Sequence, residues 1–170
     1  MTSVYEPHNG KVSVSNSALD DITKQRIEKI SSPEKCEIMA RNCSDRGRDD
    51  LANLARLRAI QLRAERHNPN SEVERLSLQA LYAYQEVLHV KHGKRVQANR
   101  TWPMIERQGV LPAVERSVNR KRKTLGYEAL EEMGLSDLAL EAVVLRYPDS
   151  FSANTLKKAR ERLGANEVKK

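Results

Sequence analysis

Glu86, His89 and His92 follow one another at intervals of three residues, a spacing that brings neighbouring members of the series together on a helix. A Glu-x-x-His pair of this kind supplies half of the ligands of a di-metal site in a helical bundle. The sequence contains no second such pair, so the other half of the site is missing. We therefore predict no metal and no cofactor, and we interpret His89 as a helix-end histidine that the helix dipole favours.

The turn from Lys91 to Arg95 is a second place where chemistry could occur. Its backbone amides and cationic side chains could hold an anion. It lacks the paired glycines and the Ser or Thr that a phosphate-binding loop uses. A small enzyme acting on a phosphate-bearing substrate at this turn is therefore only our third hypothesis. The sequence contains no catalytic constellation, which leaves enzymatic activity open but favours a non-enzymatic protein.

Two further groups could carry catalysis, and each has a simpler interpretation. Cys36 could act as a nucleophile, but it shares an apolar side of its helix with Met39 and Ala40, which favours packing. Three glutamates cluster on one short segment, where a solvated face explains them without acid–base work. They are Glu128, Glu131 and Glu132.

The most informative feature of the sequence is its uneven distribution of charge. The whole chain carries 30 Lys and Arg against 23 Asp and Glu, for a net charge of +7. Residues 1–90 are neutral and residues 124–170 carry −1, whereas residues 91–123 carry +8. Such an excess repels itself unless an anion or solvent relieves it, and a polyanion that binds there gains by counterion release. We predict that this basic segment, residues 91–123, binds nucleic acid, with DNA favoured over RNA.

The layout of residues 101–120 is similar to a helix-turn-helix. Gly109 separates two short helical patterns, and Pro112 lies in the first turn of the second. If Gly109 marks the turn, the positions that the motif usually buries include two polar residues, so the match is partial. These positions are Met104, Gln108, Val110, Glu115 and Val118.

The second helix of this pair predicts which side chains contact the nucleic acid. Val110, Val114 and Val118 form one apolar stripe, so the polar residues between them face elsewhere. Arg and Asn can bond base edges, whereas Lys chiefly contacts phosphate. We predict base contacts by Arg116, Asn119 and Arg120, and phosphate contacts by Lys91, Lys94, Arg95, Arg107, Lys121 and Lys123, with Arg100 in the same binding surface.

Trp102 and the basic segment as a whole each have alternative interpretations. Trp102, which lies beside Arg100, could stack on an exposed base or could pack in the core. The basic segment could be a solvated face without a partner. It could also belong to a helical adaptor or inhibitor that binds an acidic protein surface, using the apolar face of a helix over residues 72–91.

These side chains must be positioned by helices, because helix punctuation follows residue 17 throughout and no strand-like alternation is present. We predict an all-α fold, a compact bundle of about eight helices with long helices in the first half and short ones in the second. A disordered arm over residues 1–17 precedes a single helical domain over residues 18–170. The predicted helices cover about 18–30, 33–42, 48–67, 72–91, 98–108, 111–122, 126–133, 136–147 and 152–163.

Particular residues support these boundaries. Ser31 to Glu34 and Ser71 to Glu74 have the spacing of a capping box, and Pro33 suits a first helical turn. Gly93 suits a left-handed C-cap. Apolar residues in the first predicted helix are Ile22, Ile27 and Ile30, and we expect this helix to bury them.

The composition excludes several classes of protein. Only seven residues are aromatic, so we expect an aliphatic core. No stretch approaches the roughly 18 apolar residues that a membrane-spanning helix needs, and the first ten residues lack the pattern of a signal peptide. Two cysteines cannot form a disulfide framework or a four-cysteine zinc site. From these absences we expect reduced thiols, no membrane association and a cytoplasmic location.

Overall fold

The computed structural model describes residues 16–93, 100–120 and 127–167. These residues form nine α-helices and two short 3-10 helices and contain no strand, which confirms the predicted all-α fold. The α-helices are α1 (Asn16–Glu28), α2 (Pro33–Ser44), α3 (Asp49–Glu65), α4 (Glu72–His92), α5 (Trp102–Gln108), α6 (Val110–Val118), α7 (Tyr127–Glu132), α8 (Leu140–Arg146) and α9 (Ala153–Glu167).

Side-chain caps fix where the early helices begin. At α4, the Ser71 hydroxyl accepts a hydrogen bond from the Glu74 amide at 3.3 Å, as the capping box predicts. The Glu74 carboxylate accepts from the amide of Asn70 at 2.8 Å. At α2, Pro33 occupies the first turn as predicted, but the N-cap is Ser32, whose hydroxyl accepts from the Lys35 amide. The capping box predicted from Ser31 was therefore wrong by one residue.

The later helices differ more from the sequence prediction. The single helix predicted over 136–147 is divided, because Ala139 adopts an extended conformation between a 3-10 helix, Ser136–Leu138, and α8. The second 3-10 helix, Pro148–Ser150, follows α8. α9 reaches Glu167, so the second half of the chain is not made of short helices alone.

The predicted N-terminal arm lies outside the described residues except at its end, where Asn16 and Ser17 begin α1. Of the three isoleucines expected to be buried here, Ile27 is buried and Ile30 is half-buried. Ile22 is 45% exposed, so that expectation was wrong. α1 places Ile27 against α2 and α3, where it packs among Ala and Cys side chains.

α4 joins two apolar clusters of the core. Near its start, Val73, Leu76 and Ala80 pack with residues of α6, α8 and α9. Further along, Ala83 and Val87 pack with Ile60 of α3 and with residues of α7 and the first 3-10 helix. This face of α4 is therefore buried within the protein, so it is not available as the docking face that we expected an adaptor to use. None of the described helices has the length and apolarity required to cross a bilayer.

Candidate nucleic-acid interface

α5 and α6 lie in contact with each other and are linked by Gly109 alone. Gly109 has φ 88° and ψ 173°, a backbone conformation that is essentially restricted to glycine. A helix-turn-helix uses a turn of about three to four residues, so this link departs from the motif. Of the positions that the motif would bury, Met104 and Val118 are buried, whereas Gln108 is exposed.

The apolar stripe predicted on α6 is confirmed. Val114 and Val118 are fully buried against α4 and α8, and Val110 packs partly buried against the same cluster. This packing fixes the rotation of α6. As a result Arg116 is exposed, and Arg120, two residues beyond the end of α6, is exposed as well.

The exposed side of α5 and α6 forms an open cleft of about 510 Å³. Its lining includes four arginines: one precedes α5, one lies on α5, one lies on α6 and one lies two residues after the end of α6. We call this surface the arginine cleft. Its lining residues are Arg100, Pro103, Met104, Arg107, Gln108, Arg116 and Arg120.

None of these four arginines forms an ion pair with a carboxylate among the described residues. Six arginines elsewhere in the fold do form such pairs. They are Arg48, Arg56, Arg63, Arg66, Arg75 and Arg162. Within the cleft, Arg107 donates through Nε to the carbonyl of Pro103 at 3.0 Å, which orients its guanidinium without neutralising it. The positive charge of the cleft is therefore uncompensated by neighbouring side chains of the described chain.

The two acidic residues of the basic segment do not line the cleft. Glu115 is turned toward the start of α9, where its Oε1 accepts from the amide of Ser152 at 2.5 Å and from the hydroxyl of Thr155 at 3.3 Å. Glu106 is exposed on α5. The orientation of Glu115 thus keeps a carboxylate away from Arg116, its neighbour in sequence.

Asn119, which was predicted to read a base, is bonded to α9 through both atoms of its amide. Its Nδ2 donates to the hydroxyl of Thr155 at 2.8 Å, and its Oδ1 accepts from Nδ2 of Asn154 at 2.9 Å. The main-chain carbonyl of Asn119 accepts from Lys158, and that of Arg120 accepts from Arg162. Asn119 therefore holds the end of α6 in place, which is a structural role rather than the predicted one.

Trp102 is half-buried and stacks on His67, with ring centroids 5.0 Å apart and planes at 10°. Tyr82 lies at the same centroid distance from Trp102, and its hydroxyl is 2.6 Å from Nε2 of His67. The imidazole of His67 thus covers one face of the indole. This contact favours packing over the predicted stacking on a base.

The other residues that we predicted to contact phosphate either do not line the cleft or lie outside the described residues. Lys91 is exposed in the last turn of α4. Four of the predicted phosphate contacts lie outside the described residues. They are Lys94, Arg95, Lys121 and Lys123.

Glu86, a candidate metal ligand, and Cys36, a candidate nucleophile, are both buried in the fold. Glu86 is buried between Arg56 and Arg63, with closest approaches of 4.0 and 3.6 Å. Glu86 thus joins α4 to α3. Cys36 is fully buried, and burial raises the pKa of its thiol, which suits packing better than nucleophilic attack.

From the sequence we placed the four cleft arginines in one binding surface, but we did not predict that all four line a single cleft. It gave Arg107 a phosphate role and Arg116 and Arg120 base-reading roles. Two features of the sequence could have indicated that these arginines line one cleft. One is the spacing of four residues between Arg116 and Arg120, and the other is Gly109, which allows a tight link between α5 and α6.

Comparison of the chain with protein-family models, with curated proteins and with solved structures finds no match.

Proposed function

We propose that this protein binds nucleic acid through the arginine cleft, with DNA as the first candidate. The observation that supports the proposal is the presence of four guanidinium groups around one open cleft, none paired with a carboxylate among the described residues. Guanidinium groups bond phosphate oxygens in bidentate fashion. A bound polyanion would relieve the repulsion between these groups and release its own counterions.

The surroundings of the cleft support the same function. The cleft lies within the segment that holds all of the chain's excess positive charge. α6 presents Arg116 on its exposed side, with Arg120 exposed just after its end. An α-helix fits the major groove of duplex DNA, which is about 12 Å wide. The hydrogen bonds from α9 to the end of α6 hold this surface before any ligand arrives.

The test is a binding assay over a range of salt concentrations, using fluorescently labelled duplex DNA, single-stranded DNA and RNA. A protein that neutralises phosphates loses affinity linearly in the logarithm of salt, with a slope of about 0.9 per phosphate on duplex DNA. The variant Arg116→Gln/Arg120→Gln should reduce that slope by roughly two. The control, Arg41→Gln/Arg160→Gln, removes the same charge from exposed sites on α2 and α9 and should leave the slope nearly unchanged.

Two outcomes would contradict the proposal. One is an absence of affinity for every nucleic acid at low salt. The other is an equal loss of affinity in both double variants, because that result would show a response to net charge rather than to the cleft. Binding to an acidic protein, with little affinity for nucleic acid at physiological salt, would support the adaptor hypothesis.

A further inference from the structure

We infer that the arginine cleft is built for the terminal phosphate of a nucleic-acid strand, held together with its adjoining nucleoside. This inference rests on the proposed function and narrows it from nucleic acid in general to a strand end. It depends on the arrangement of charge in the cleft, on the size of the cleft and on the neutral residues that complete its lining.

The arrangement of charge favours a concentrated anion over an extended one. An internal phosphodiester carries a single negative charge, and successive phosphates are spread along the backbone. A terminal phosphate monoester carries about −1.5 to −2 at neutral pH on three exposed oxygens. Arg100, Arg107, Arg116 and Arg120 all line one cleft, so several positive charges are available to one anion, and this matches the monoester better.

The size of the cleft leaves room for more than a phosphate. Its volume of about 510 Å³ falls within the range of roughly 300–1,000 Å³ that small-molecule sites occupy. Pro103 and Met104 offer apolar surface to a sugar or a base, and the Gln108 amide can both donate and accept hydrogen bonds. The cleft is open to solvent, so the strand beyond its terminal nucleotide can extend out of the cleft into solvent.

Parts of the cleft are held in place by contacts that do not involve a ligand. Arg107 is oriented by the carbonyl of Pro103, and the carbonyls of Asn119 and Arg120 are held by Lys158 and Arg162 of α9. Because these positions are set before binding, less conformational freedom is lost when a phosphate enters.

The experiment compares oligonucleotides of one sequence that differ only at their ends, with a 5′-phosphate, a 3′-phosphate or hydroxyl groups at both ends. The wild-type protein should bind one phosphorylated form about tenfold more tightly than the hydroxyl form, the gain expected from one added charge-assisted contact. The preference should shrink as the pH falls from 7.5 to 5.5, since the monoester loses its second charge near pH 6.

Arg116→Lys separates geometry from charge. It keeps the positive charge but removes the planar fork, so the end preference should fall while salt-dependent affinity for the hydroxyl form is retained. Arg41→Lys is the matched control, because Arg41 is exposed on α2 and does not line the cleft. Circular dichroism of each variant checks that the fold is kept.

The outcomes that overturn this inference differ from those that overturn the proposed function. Equal binding of phosphorylated and hydroxyl ends would overturn the strand-end assignment and leave nucleic-acid binding in place. A nucleoside monophosphate that binds as tightly as the phosphorylated strand would show that the ligand is a free nucleotide. A phosphoserine peptide that binds more tightly than every oligonucleotide would assign the cleft to protein ligands, and the proposed function would fail with it.

Discussion

Trp102 provides a local probe of the contact between α3, α4 and α5, because it is the only tryptophan in the chain and stacks on His67. Burial lowers the pKa of His67 below its ordinary value of 6.5. The neutral imidazole is therefore the form that the folded protein favours at neutral pH. Between pH 6.5 and the lower pKa of the folded state, the unfolded chain binds a proton at His67 and the folded chain does not. The free energy of unfolding therefore decreases as the pH falls through this range.

We expect Trp102 fluorescence to change with a midpoint below pH 6.5 as His67 becomes protonated against the indole. The measurement is emission intensity between pH 4.5 and 8 under conditions where the protein stays folded. His67→Phe keeps a ring in the stack but cannot titrate, so it should abolish the change. A midpoint above 6.5, or a change that persists in His67→Phe, would show that another group is responsible.

Asn119 illustrates why a side chain on a recognition-like helix need not contact a ligand. Its amide bonds Thr155 and Asn154, and the Thr155 hydroxyl, which is fully buried, also donates to Glu115. Removing the amide deletes two hydrogen bonds, one to the buried hydroxyl of Thr155 and one to exposed Asn154, and each such bond contributes about 0.5–1.5 kcal/mol.

We therefore expect Asn119→Ala to lower the free energy of unfolding by about 1–3 kcal/mol, measured by urea denaturation. The folded variant should keep the wild-type discrimination between preferred and random duplexes. A variant with unchanged stability and lost discrimination would instead restore the base-reading role that the sequence suggested.

At the scale of the elements, Gly109 determines the relation between α5 and α6. A Cβ at this position would have space, since its nearest neighbour is Cδ of Pro112 at 4.0 Å. The constraint is the backbone conformation itself, which costs a non-glycine residue of order 1–3 kcal/mol. The shape of the arginine cleft depends on this single residue, because it alone links the two helices that line the cleft.

Gly109→Ala should therefore destabilise the protein by about 1–3 kcal/mol and weaken binding by the cleft, as judged by urea denaturation and the salt-titrated binding assay. Gly164→Ala is the control. Gly164 lies within α9 without strain or close neighbours, so alanine there should stabilise by up to about 1 kcal/mol. If both variants changed stability alike, the conformation of Gly109 would not be the cause.

The elements also show which features local sequence determines. Caps such as Ser71 and Gly93 act within a few residues, so the boundaries of α4 were predicted to within one residue. The break at Ala139 has no local signal and depends on packing against α4 and α7. The convergence of Arg100 with Arg116 is likewise a tertiary property, since it needs the reversal at Gly109 and the burial of the α6 valines.

At the scale of the whole molecule, the charge distribution and the core are organised separately. Residues 1–90, which carry no net charge, form α1 to α3 and most of α4, and several arginines there pair with carboxylates, among them Arg48 and Arg66. The cleft arginines lie just before α5, on α5, on α6 and just after α6. α4 contacts both parts, because its first turns pack with α6 and α8 and its middle packs with α3. Removing charge from the cleft should therefore affect binding without weakening the core.

The shared position of α4 predicts that the domain unfolds in one cooperative step. Ile27 belongs to the apolar cluster of α1 to α3, and Val114 belongs to the cluster around α6 and α8. Ile27→Ala should cost about 2–5 kcal/mol and Val114→Ala somewhat less, since the second change removes fewer buried atoms. α4 contacts α3, which carries part of the Ile27 cluster, and packs with α6 and α8 in the Val114 cluster. If α4 thereby couples the two clusters, each variant should shift the urea midpoint equally whether unfolding is followed by Trp102 fluorescence or by far-UV circular dichroism. Different midpoints for the two probes, in either variant, would mean that α1 to α3 unfold apart from the helices that build the cleft, and the single-domain prediction would be wrong.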